Sequence, residues 1–219
     1  MAYDFDTIAT NYDRMNRLMT LGLDRRWRKR AVRGLHGNVL DVACGTGDMV
    51  VSLAEQGCTV TGVDISEEML AIAKRKAPQA TYMLADAEQL PFEDSSFDAV
   101  TCAFGVRNFV HLEQGLSEML RVLKPGGTMV ILELATPDNI LIKPFYNFYT
   151  KHLIPWLGSR IAGNRAAYTY LPESIVRFPK GEAFVQIMEK LGGRTTERKL
   201  FFGVCRSYKI VKKQRGRST

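Results

Sequence analysis

The stretch "VLDVACGTGD", residues 39–48, decides the fold, because an apolar run meets two glycines one residue apart. The apolar run is typical of a buried strand, and Gly45-Thr46-Gly47 allows the backbone to turn tightly into a helix. A phosphate-binding loop would continue to a third glycine or to Gly-Lys-Ser/Thr. Here Asp41 and Asp48 flank the turn, and this pattern favours a positively charged ligand over a pyrophosphate.

Composition and charge are those of an ordinary globular chain with a basic surface. The 219 residues are 46% hydrophobic and carry a net charge of +7, and this length suits one large α/β domain. The basic excess suggests an anionic partner, either nucleic acid or lipid, or only a solvated face. The cysteines show no metal-ligand spacing, so we expect no metal site and a reducing cytoplasm. We find no signal peptide and no apolar run long enough to cross a bilayer.

Strand patterns alternate with helical patterns along the chain, which predicts a mostly parallel sheet with helices on both faces. The predicted strands cover residues 39–43, 59–65, 81–86, 97–105 and 128–134. The predicted helices cover about 47–56, 66–76, 112–123 and 180–191, and "KPGG" is read as a turn. Two last strands, 194–203 and 204–213, are predicted to form an antiparallel hairpin at one edge of the sheet.

Two segments stand outside this alternation within a predicted single domain, 1–219. Residues 1–35 carry a helical pattern, and residues 137–179 interrupt the crossover after the fifth strand. Long insertions at the carboxyl ends of strands often form lids, so we expect a helical lid at 137–179. The alternative is a helical pair that packs its aromatic rings on the sheet. The aromatic and basic residues of the insertion are Phe145, Tyr146, Phe148, Tyr149, Trp156, Tyr168, Tyr170 and Phe178, with Lys143, Lys151, Arg160, Arg165 and Arg177.

Acidic residues end the first three predicted strands or follow them. Asp64 comes about twenty residues after the glycines, a spacing at which an acid can accept hydrogen bonds from both ribose hydroxyls. Asp86-Ala87 ends the third strand, where it can meet an adenine edge. A positively charged nucleoside with a sugar to be bound and no phosphate describes S-adenosylmethionine.

This arrangement, with its terminal hairpin, resembles the class I S-adenosylmethionine-dependent methyltransferases. Four stretches together resemble the ubiquinone/menaquinone biosynthesis C-methyltransferases over nearly the whole chain: "YDRMNRLMTLGLDRRW" (12–27), "FGVRN" (104–108), "RVLKPGGTMVILE" (121–133) and "YTYLPESI" (168–175). The sequence departs from the family pattern in three places. Thr20 and Asp24 stand where Ser and His are usual, Ala103 where Ser is common, and Glu133-Leu134-Ala135 where the family has acid-x-Ser.

The resemblance implies an α/β, Rossmann-like fold with a seven-stranded sheet and a set of cofactor-binding residues. Gly45 and Gly47 would let the backbone approach the methionine moiety, Thr46 would reach its polar atoms, and the acids would keep the pocket negative for the sulfonium. The implied residues that bind S-adenosylmethionine are Asp41, Gly45, Thr46, Gly47, Asp64, Ile65, Asp86, Ala87 and Ala103.

C-methylation of a quinol ring needs two reactants at attack distance and a group that favours the phenolate. Arg107 is the candidate for that positive charge, Asn108 could orient a ring oxygen, and Tyr12 could hydrogen-bond the substrate. Alternatively, Arg107 pairs with an acid such as Asp86, and the pair could still relay a proton through water. Tyr12 could instead be a core residue, and His111 is a weaker candidate that more often would be a surface residue.

The expected substrate is demethylmenaquinol, because the resemblance is nearest to menaquinone-type members. The alternative substrates are a ubiquinone-precursor benzoquinol and another small phenol. The alternative function is that of a cofactor-binding scaffold without chemistry. A nucleic-acid methyltransferase would carry Asn-Pro-Pro-Tyr/Phe or Pro-Cys, and a catechol O-methyltransferase would need a carboxylate-rich magnesium site; neither pattern is found.

The expected partners are an isoprenoid quinol and an anionic membrane surface, contacted by basic residues of 25–33 and of 143–180. A homodimer is a further option, and no nucleic acid is expected. These partners would place the protein in the cytoplasm and peripherally at the inner face of the cell membrane.

Overall fold

The computed structural model describes residues 9–150 and 172–214. The strands in this part of the chain are β1 Asn38–Val42, β2 Thr59–Asp64, β3 Thr81–Leu84, β4 Phe97–Ala103, β5 Leu123–Leu134, β6 Gly193–Leu200 and β7 Cys205–Lys212. The helices are α1 Ala9–Met19, α2 Leu23–Ala31, α3 Asp48–Ala54, α4 Glu67–Lys76, α5 Leu112–Val122, α6 Lys143–Phe148 and α7 Glu182–Lys190.

The described strands form one seven-stranded sheet in the order β3-β2-β1-β4-β5-β7-β6. Strands β1 to β5 pair in parallel, and β7 is antiparallel to both β5 and β6. The predicted fold and its terminal hairpin are therefore confirmed. The strand order reverses between β1 and β4, and in such sheets ligands bind beyond the carboxyl ends of the strands at that point.

The hydrophobic core lies on both faces of the sheet, because strands covered by helices on both sides bury every side chain. Along β5, Met129 and Ile131 face the cluster that contains α5 and α7, whereas Val130 and Leu132 face the cluster that contains α2 and α3. This alternation makes β5 a continuous apolar run in the sequence.

Local signals placed the elements to within a few residues in most cases. Helix α4 begins as predicted, since the Ser66 hydroxyl accepts a hydrogen bond from the Met69 amide at 3.1 Å. Strand β5 differs: it begins at Leu123, which is buried and pairs with Phe97, and Thr128 resumes pairing with Ala99. The "KPGG" residues therefore form an irregularity within the strand rather than a turn before it.

The predicted lid, 137–179, is described only in part, because 151–171 lie outside the described residues, and with them Trp156, Tyr168, Tyr170, Lys151, Arg160 and Arg165. Phe178 was assigned to the lid, but its ring packs in the core, 5.3 Å from the ring centroid of Phe184. Phe145 on α6 is 78% exposed, and Phe148 is exposed as well. No helix in the described ranges is long and apolar enough to span a membrane.

The connection between the last two strands also differs from the prediction. A 3-10 turn, Phe201–Gly203, separates β6 from β7, so the hairpin does not turn at Gly203 alone. Both phenylalanines adopt a positive φ and expose their rings. The turn therefore presents apolar side chains beside the carboxyl end of β5.

Candidate functional site

The loops after β1 and β4 pack against each other at the carboxyl edge of the sheet. Ala43 and Phe104 adopt positive φ values of 52° and 61°, which are uncommon for residues with side chains. A Cβ on Gly105 would lie 2.7 Å from the Cβ of Ala43, so no other residue fits there without a shift. This close contact brings the ends of the two central strands together.

The glycine turn after β1 directs the chain into α3. Gly47 has a φ of 83° and precedes the first residue of that helix. A Cβ at this position would also lie 3.0 Å from the Cβ of Ala73 in α4. The second glycine of the motif is therefore required both by backbone conformation and by packing of α3 on α4.

Asp64 connects the end of β2 to the glycine turn. Its Oδ2 accepts a hydrogen bond from the Gly45 amide at 2.7 Å, and its Oδ1 accepts one from the Ser66 amide at 3.0 Å. The carboxylate is buried. The residue predicted to bind a ribose thus also holds two loops in place.

A cleft of about 780 Å³, called here the strand-end cleft, opens above these loops. It brings together many of the predicted site residues, whereas Arg107, Asp41, Thr46 and Gly47 do not line it. Asp86 lies at the exposed rim of the cleft. Its Oδ1 accepts a hydrogen bond from the Glu88 amide at 2.8 Å. The predicted residues that line the cleft are Tyr12, Gly45, Asp64, Ile65, Asp86, Ala87, Ala103 and Asn108.

A smaller cavity of about 300 Å³, called here the polar chamber, adjoins the strand-end cleft and shares Tyr12, Gly45 and Ala103 with it. Asp41 lines the chamber and is 1% exposed. Its Oδ1 accepts a hydrogen bond from the Thr101 hydroxyl at 2.6 Å, and its Oδ2 has no hydrogen-bond partner among the described residues. Burial raises the pKa of Asp41 to about 7, although the Thr101 hydrogen bond opposes the shift.

Arg28 also lines the polar chamber, although it belongs to the basic stretch 25–33 that was expected at the surface. Its buried guanidinium pairs with Asp24 and lies 4.9 Å from the ring centroid of Phe104. Thr20 completes this group by donating a hydrogen bond to Asp24 at 3.0 Å. The sequence contained an indication that Arg28 is buried, since Asp24, Trp27 and Arg28 share one face of a helix.

The acid Asp48, which was expected to help keep the pocket negative, is paired with Lys76. Lys76 Nζ lies 2.7 Å from Asp48 Oδ1, donates to the Thr46 hydroxyl at 3.0 Å, and also pairs with Asp13 of α1. Burial opposes the shift, but the Lys76 hydrogen bond and the Arg28 charge lower the pKa of Asp48. This cluster attaches α1 to the glycine turn.

Arg107 lies in a 3-10 turn, Val106–Asn108, that follows β4. Its Nη1 donates to Glu133 Oε1 at 2.7 Å and to the carbonyl of Phe104, and its amide donates to Glu133 Oε2 at 3.3 Å. Glu133, in the neighbouring strand β5, is fully buried. The alternative of an ion pair was correct, but the named partner, Asp86, was wrong.

His111 is an exposed residue whose Nδ1 lies 2.8 Å from Oε2 of Glu88. This surface position matches the alternative considered for it, and the residue does not line the strand-end cleft. Within the described ranges, no group of histidine, cysteine and acidic side chains could hold a metal ion.

Known proteins similar to this chain are methyltransferases, in agreement with the predicted cofactor site. A family model described as the ubiE/COQ5 methyltransferase family matches residues 2–212. The chain is 45% identical to the ubiquinone/menaquinone biosynthesis C-methyltransferase UbiE of Geobacter sulfurreducens, covering 93% of this chain and 85% of that one. It is 44% identical to the demethylmenaquinone methyltransferase of Thermus thermophilus, covering 92% and 96%.

Solved structures share the fold at lower identity. A SAM-dependent methyltransferase from Thermotoga maritima superposes with a TM-score of 0.70 at 21% identity, covering 95% of this chain and 98% of that one. One from Aquifex aeolicus gives a TM-score of 0.61 at 17% identity, covering 91% and 97%. From the match over nearly its whole length, the chain belongs to the ubiE/COQ5 methyltransferase family.

Proposed function

We propose that this chain transfers a methyl group from S-adenosylmethionine to a ring carbon of demethylmenaquinol and so produces menaquinol. Membership of the family assigns S-adenosylmethionine-dependent C-methylation in quinone biosynthesis to it. The names of the Deinococcus radiodurans and Thermus thermophilus relatives support the menaquinone branch. The observation that carries the proposal is the strand-end cleft, where Gly45, Asp64 and Ala87 converge from three neighbouring strands.

The strand-end cleft fits the adenosine half of the cofactor. A carboxylate offers about four lone-pair sites, so Asp64 can accept ribose hydroxyls in addition to its two amide hydrogen bonds. Ile65 and Ala87 provide apolar surface for the adenine ring. Asp86, at the rim, accepts a hydrogen bond from the exocyclic amine.

The polar chamber fits the amino-acid end of the cofactor, which carries one positive and one negative group. Asp41 Oδ2, which is buried and has no hydrogen-bond partner within 9–150 and 172–214, binds the ammonium group, and this interaction favours the charged form of the acid. Arg28 lies in the same chamber and binds the carboxylate. Ala103 and Gly45 line both cavities, so they lie where the chain of the cofactor passes between them.

When bound, S-adenosylmethionine supplies the methyl group that a ring carbon of the quinol attacks. Arg107 stabilises the phenolate by hydrogen bonding, and Glu133 orients the guanidinium for this role. Because the pair is buried beside Phe104 and Gly105, its hydrogen bonds act where water competes little. Glu133 can accept the hydroxyl proton of the quinol as the phenolate forms and release it to water, while Arg107 stays protonated.

Three further residues take part in catalysis from the wall and rim of the strand-end cleft. Tyr12 lies on α1 and Asn108 in the 3-10 turn after β4, and both line the cleft. The Tyr12 hydroxyl hydrogen-bonds the substrate, and Asn108 orients a ring oxygen. Asp86 accepts hydrogen bonds from the water that carries the proton out of the cleft.

The protein works in the cytoplasm and attaches peripherally to the inner face of the cell membrane, where its substrate is dissolved. Ile140, Leu141 and Phe148 support this attachment, because all three are large apolar side chains exposed around α6. Lys143 on the same helix and Arg177 in the last part of the insertion are both exposed, and they add positive charge that anionic headgroups attract.

A transfer assay tests the proposed function. Labelled S-adenosylmethionine is incubated with the protein and demethylmenaquinol, a ubiquinone-precursor benzoquinol, RNA or no acceptor. We expect label in menaquinol, identified by mass spectrometry, and little label with RNA. Faster transfer to the benzoquinol would reject the choice of ring, and no transfer to either quinol would reject the function.

A further inference from the structure

A second large cavity, called here the apolar groove, lies apart from the strand-end cleft and has about 890 Å³ of space. It is formed by the end of α1, by α2, by α6, by the end of β5 and by the 3-10 turn before β7. None of the described residues that line it is charged. Its floor and walls include Met19, Trp27, Leu134, Ile142 and Val204.

Two residues that line the apolar groove, Leu134 and Tyr146, connect it to the pair formed by Arg107 and Glu133. Leu134, which lines the groove, follows Glu133 in β5, and its amide donates to Glu133 Oε1 at 2.9 Å. Tyr146 also lines the groove. Burial raises the pKa of its hydroxyl, and the positive charge of Arg107 opposes that rise. Gly105 and Asn108, which are close to Arg107 in the chain, line the strand-end cleft.

The groove has the shape and polarity of a site for a long apolar chain rather than for a compact polar ligand. At its mouth Leu21, Phe145 and Phe201 are exposed, so its apolar surface continues to the outside of the molecule. Apolar side chains left this open to water are unfavourable unless something covers them. The exposed residues around α6 that support membrane attachment lie beside this mouth in the sequence.

We propose that the apolar groove holds the first prenyl units of the quinol substrate, with the ring at Arg107 and the rest of the tail leaving past Phe145. This inference rests on the proposed function, since it assigns a position to the tail of that substrate. Burial of the tail in the groove makes prenylated rings bind more tightly than rings without a tail. It also sets the direction from which the ring enters, opposite to the cofactor.

Soluble substrates with short tails test this assignment. Naphthoquinols with no, one or two prenyl units are compared in methyl transfer, with detergent kept below micelle formation. Because each buried prenyl unit removes five carbons from water, we expect KM to fall roughly tenfold with the first unit and to fall again with the second. The rate constant kcat should change much less.

The variant Val204→Trp fills the groove, and Val176→Trp is its matched control because Val176 is exposed and does not line the groove. Val204→Trp should lose the advantage of the prenylated substrates while keeping cofactor affinity and transfer to the tail-less ring. Ile142→Asp provides a second variant that opposes an apolar chain by charge. Its expected result is the same, should Val204→Trp fail to fold.

The groove assignment is overturned if the wild type shows no dependence on tail length, or if folded Val204→Trp and Ile142→Asp both keep that dependence. Absence of transfer to every naphthoquinol would instead reject the proposed function. The groove assignment can then still be tested by binding. The corresponding naphthoquinones are titrated in a Trp156→Phe background, and quenching of Trp27 fluorescence reports their affinity. Equal affinities for tailed and tail-less naphthoquinones would reject the groove assignment as well.

Discussion

Nη1 of Arg107 lies 2.7 Å from Oε1 of Glu133, and this ion pair joins the loop after β4 to the neighbouring strand β5. Both side chains are buried, so each needs the other to offset the cost of leaving water. Chain neighbours of the pair line both cavities, Asn108 the strand-end cleft and Leu134 the apolar groove. In the proposed function, the quinol ring meets the methyl donor beside this pair.

The first prediction concerns Arg107. Arg107→Ala should slow methyl transfer by about a hundredfold or more, as for the loss of one electrostatic stabiliser. Cofactor affinity should change little, because the sulfonium is itself cationic. Arg107→Lys keeps the charge but not the planar fork, and so tests geometry. Single-turnover rate, cofactor affinity and melting temperature are measured on the same preparation.

A purely structural ion pair would give a different result for the same variants. Turnover would then survive in the folded fraction while the melting temperature falls. Glu133→Gln separates the roles further: if Glu133 positions Arg107, its effect on the rate should be small once Arg107 is already alanine. Additive effects of the two substitutions on the rate would contradict the positioning role.

Asp64 is predicted to bind the ribose. Asp64→Asn and Asp64→Ala remove hydrogen-bond acceptors from the strand-end cleft, and a lost hydrogen bond to a polar ligand group costs roughly 1–3 kcal/mol. Calorimetry should therefore show weaker binding of S-adenosylhomocysteine. Asp94→Asn is the control, since that exposed acid does not line the cleft. Unchanged affinity in a folded Asp64 variant would remove the residue from the cofactor site.

Arg28 is predicted to bind the carboxylate of the cofactor. Arg28→Gln should weaken S-adenosylhomocysteine roughly tenfold or more, since charge-assisted hydrogen bonds are strong. Methylthioadenosine, which lacks the amino-acid end, should bind as before. The variant also leaves Asp24 unpaired and should lower the melting temperature. Asp24→Asn with Arg28→Gln should restore stability but not affinity, and restored affinity would argue for a structural role alone.

Asp41 predicts a specific dependence of stability on pH in the cofactor-free protein. Burial raises its pKa from 3.8 to about 7 in the folded state. Its contribution to stability is thus fully present below about pH 3.8 and is lost as the pH rises through about 7. Asp41→Asn mimics the protonated acid and retains an acceptor for Thr101. The difference in melting temperature between variant and wild type should grow from pH 4 to 7 and then stay constant.

A pH-independent difference between these two proteins would contradict the raised pKa of Asp41. The comparison between two chains that differ at one position cancels the titration of the other acids. Added S-adenosylhomocysteine should reduce the difference at neutral pH, because its ammonium group favours the ionised carboxylate.

Membrane attachment should depend on both charge and apolar contact. Flotation with anionic vesicles should show binding at low salt that weakens as ionic strength rises. Replacing Ile140, Leu141 and Phe148 together with serine should reduce binding, whereas Leu84→Ser, an exposed change on β3, should not. No binding of the wild type at low salt would reject the attachment.

The sequence by itself determined the sheet, the terminal hairpin and the cofactor edge of the site. Alternation of strand and helix patterns decides the fold because each pattern reports which faces of an element are buried. Gly45, Gly47, Asp64 and Ala87 could be found in the same way, since each follows or ends a strand and parallel strands end at one edge.

Only the tertiary structure decided which side chains meet across that edge. Glu133 follows Arg107 by 26 residues, and the two pair only because β5 lies beside β4. Arg28 belongs to a basic stretch that the sequence predicts at the surface, but α2 buries it against Phe104. The apolar groove combines residues from both ends of the chain, from Met19 to Val204. Local periodicity shows that a face is buried, but its contacts depend on strand order and on packing between distant segments.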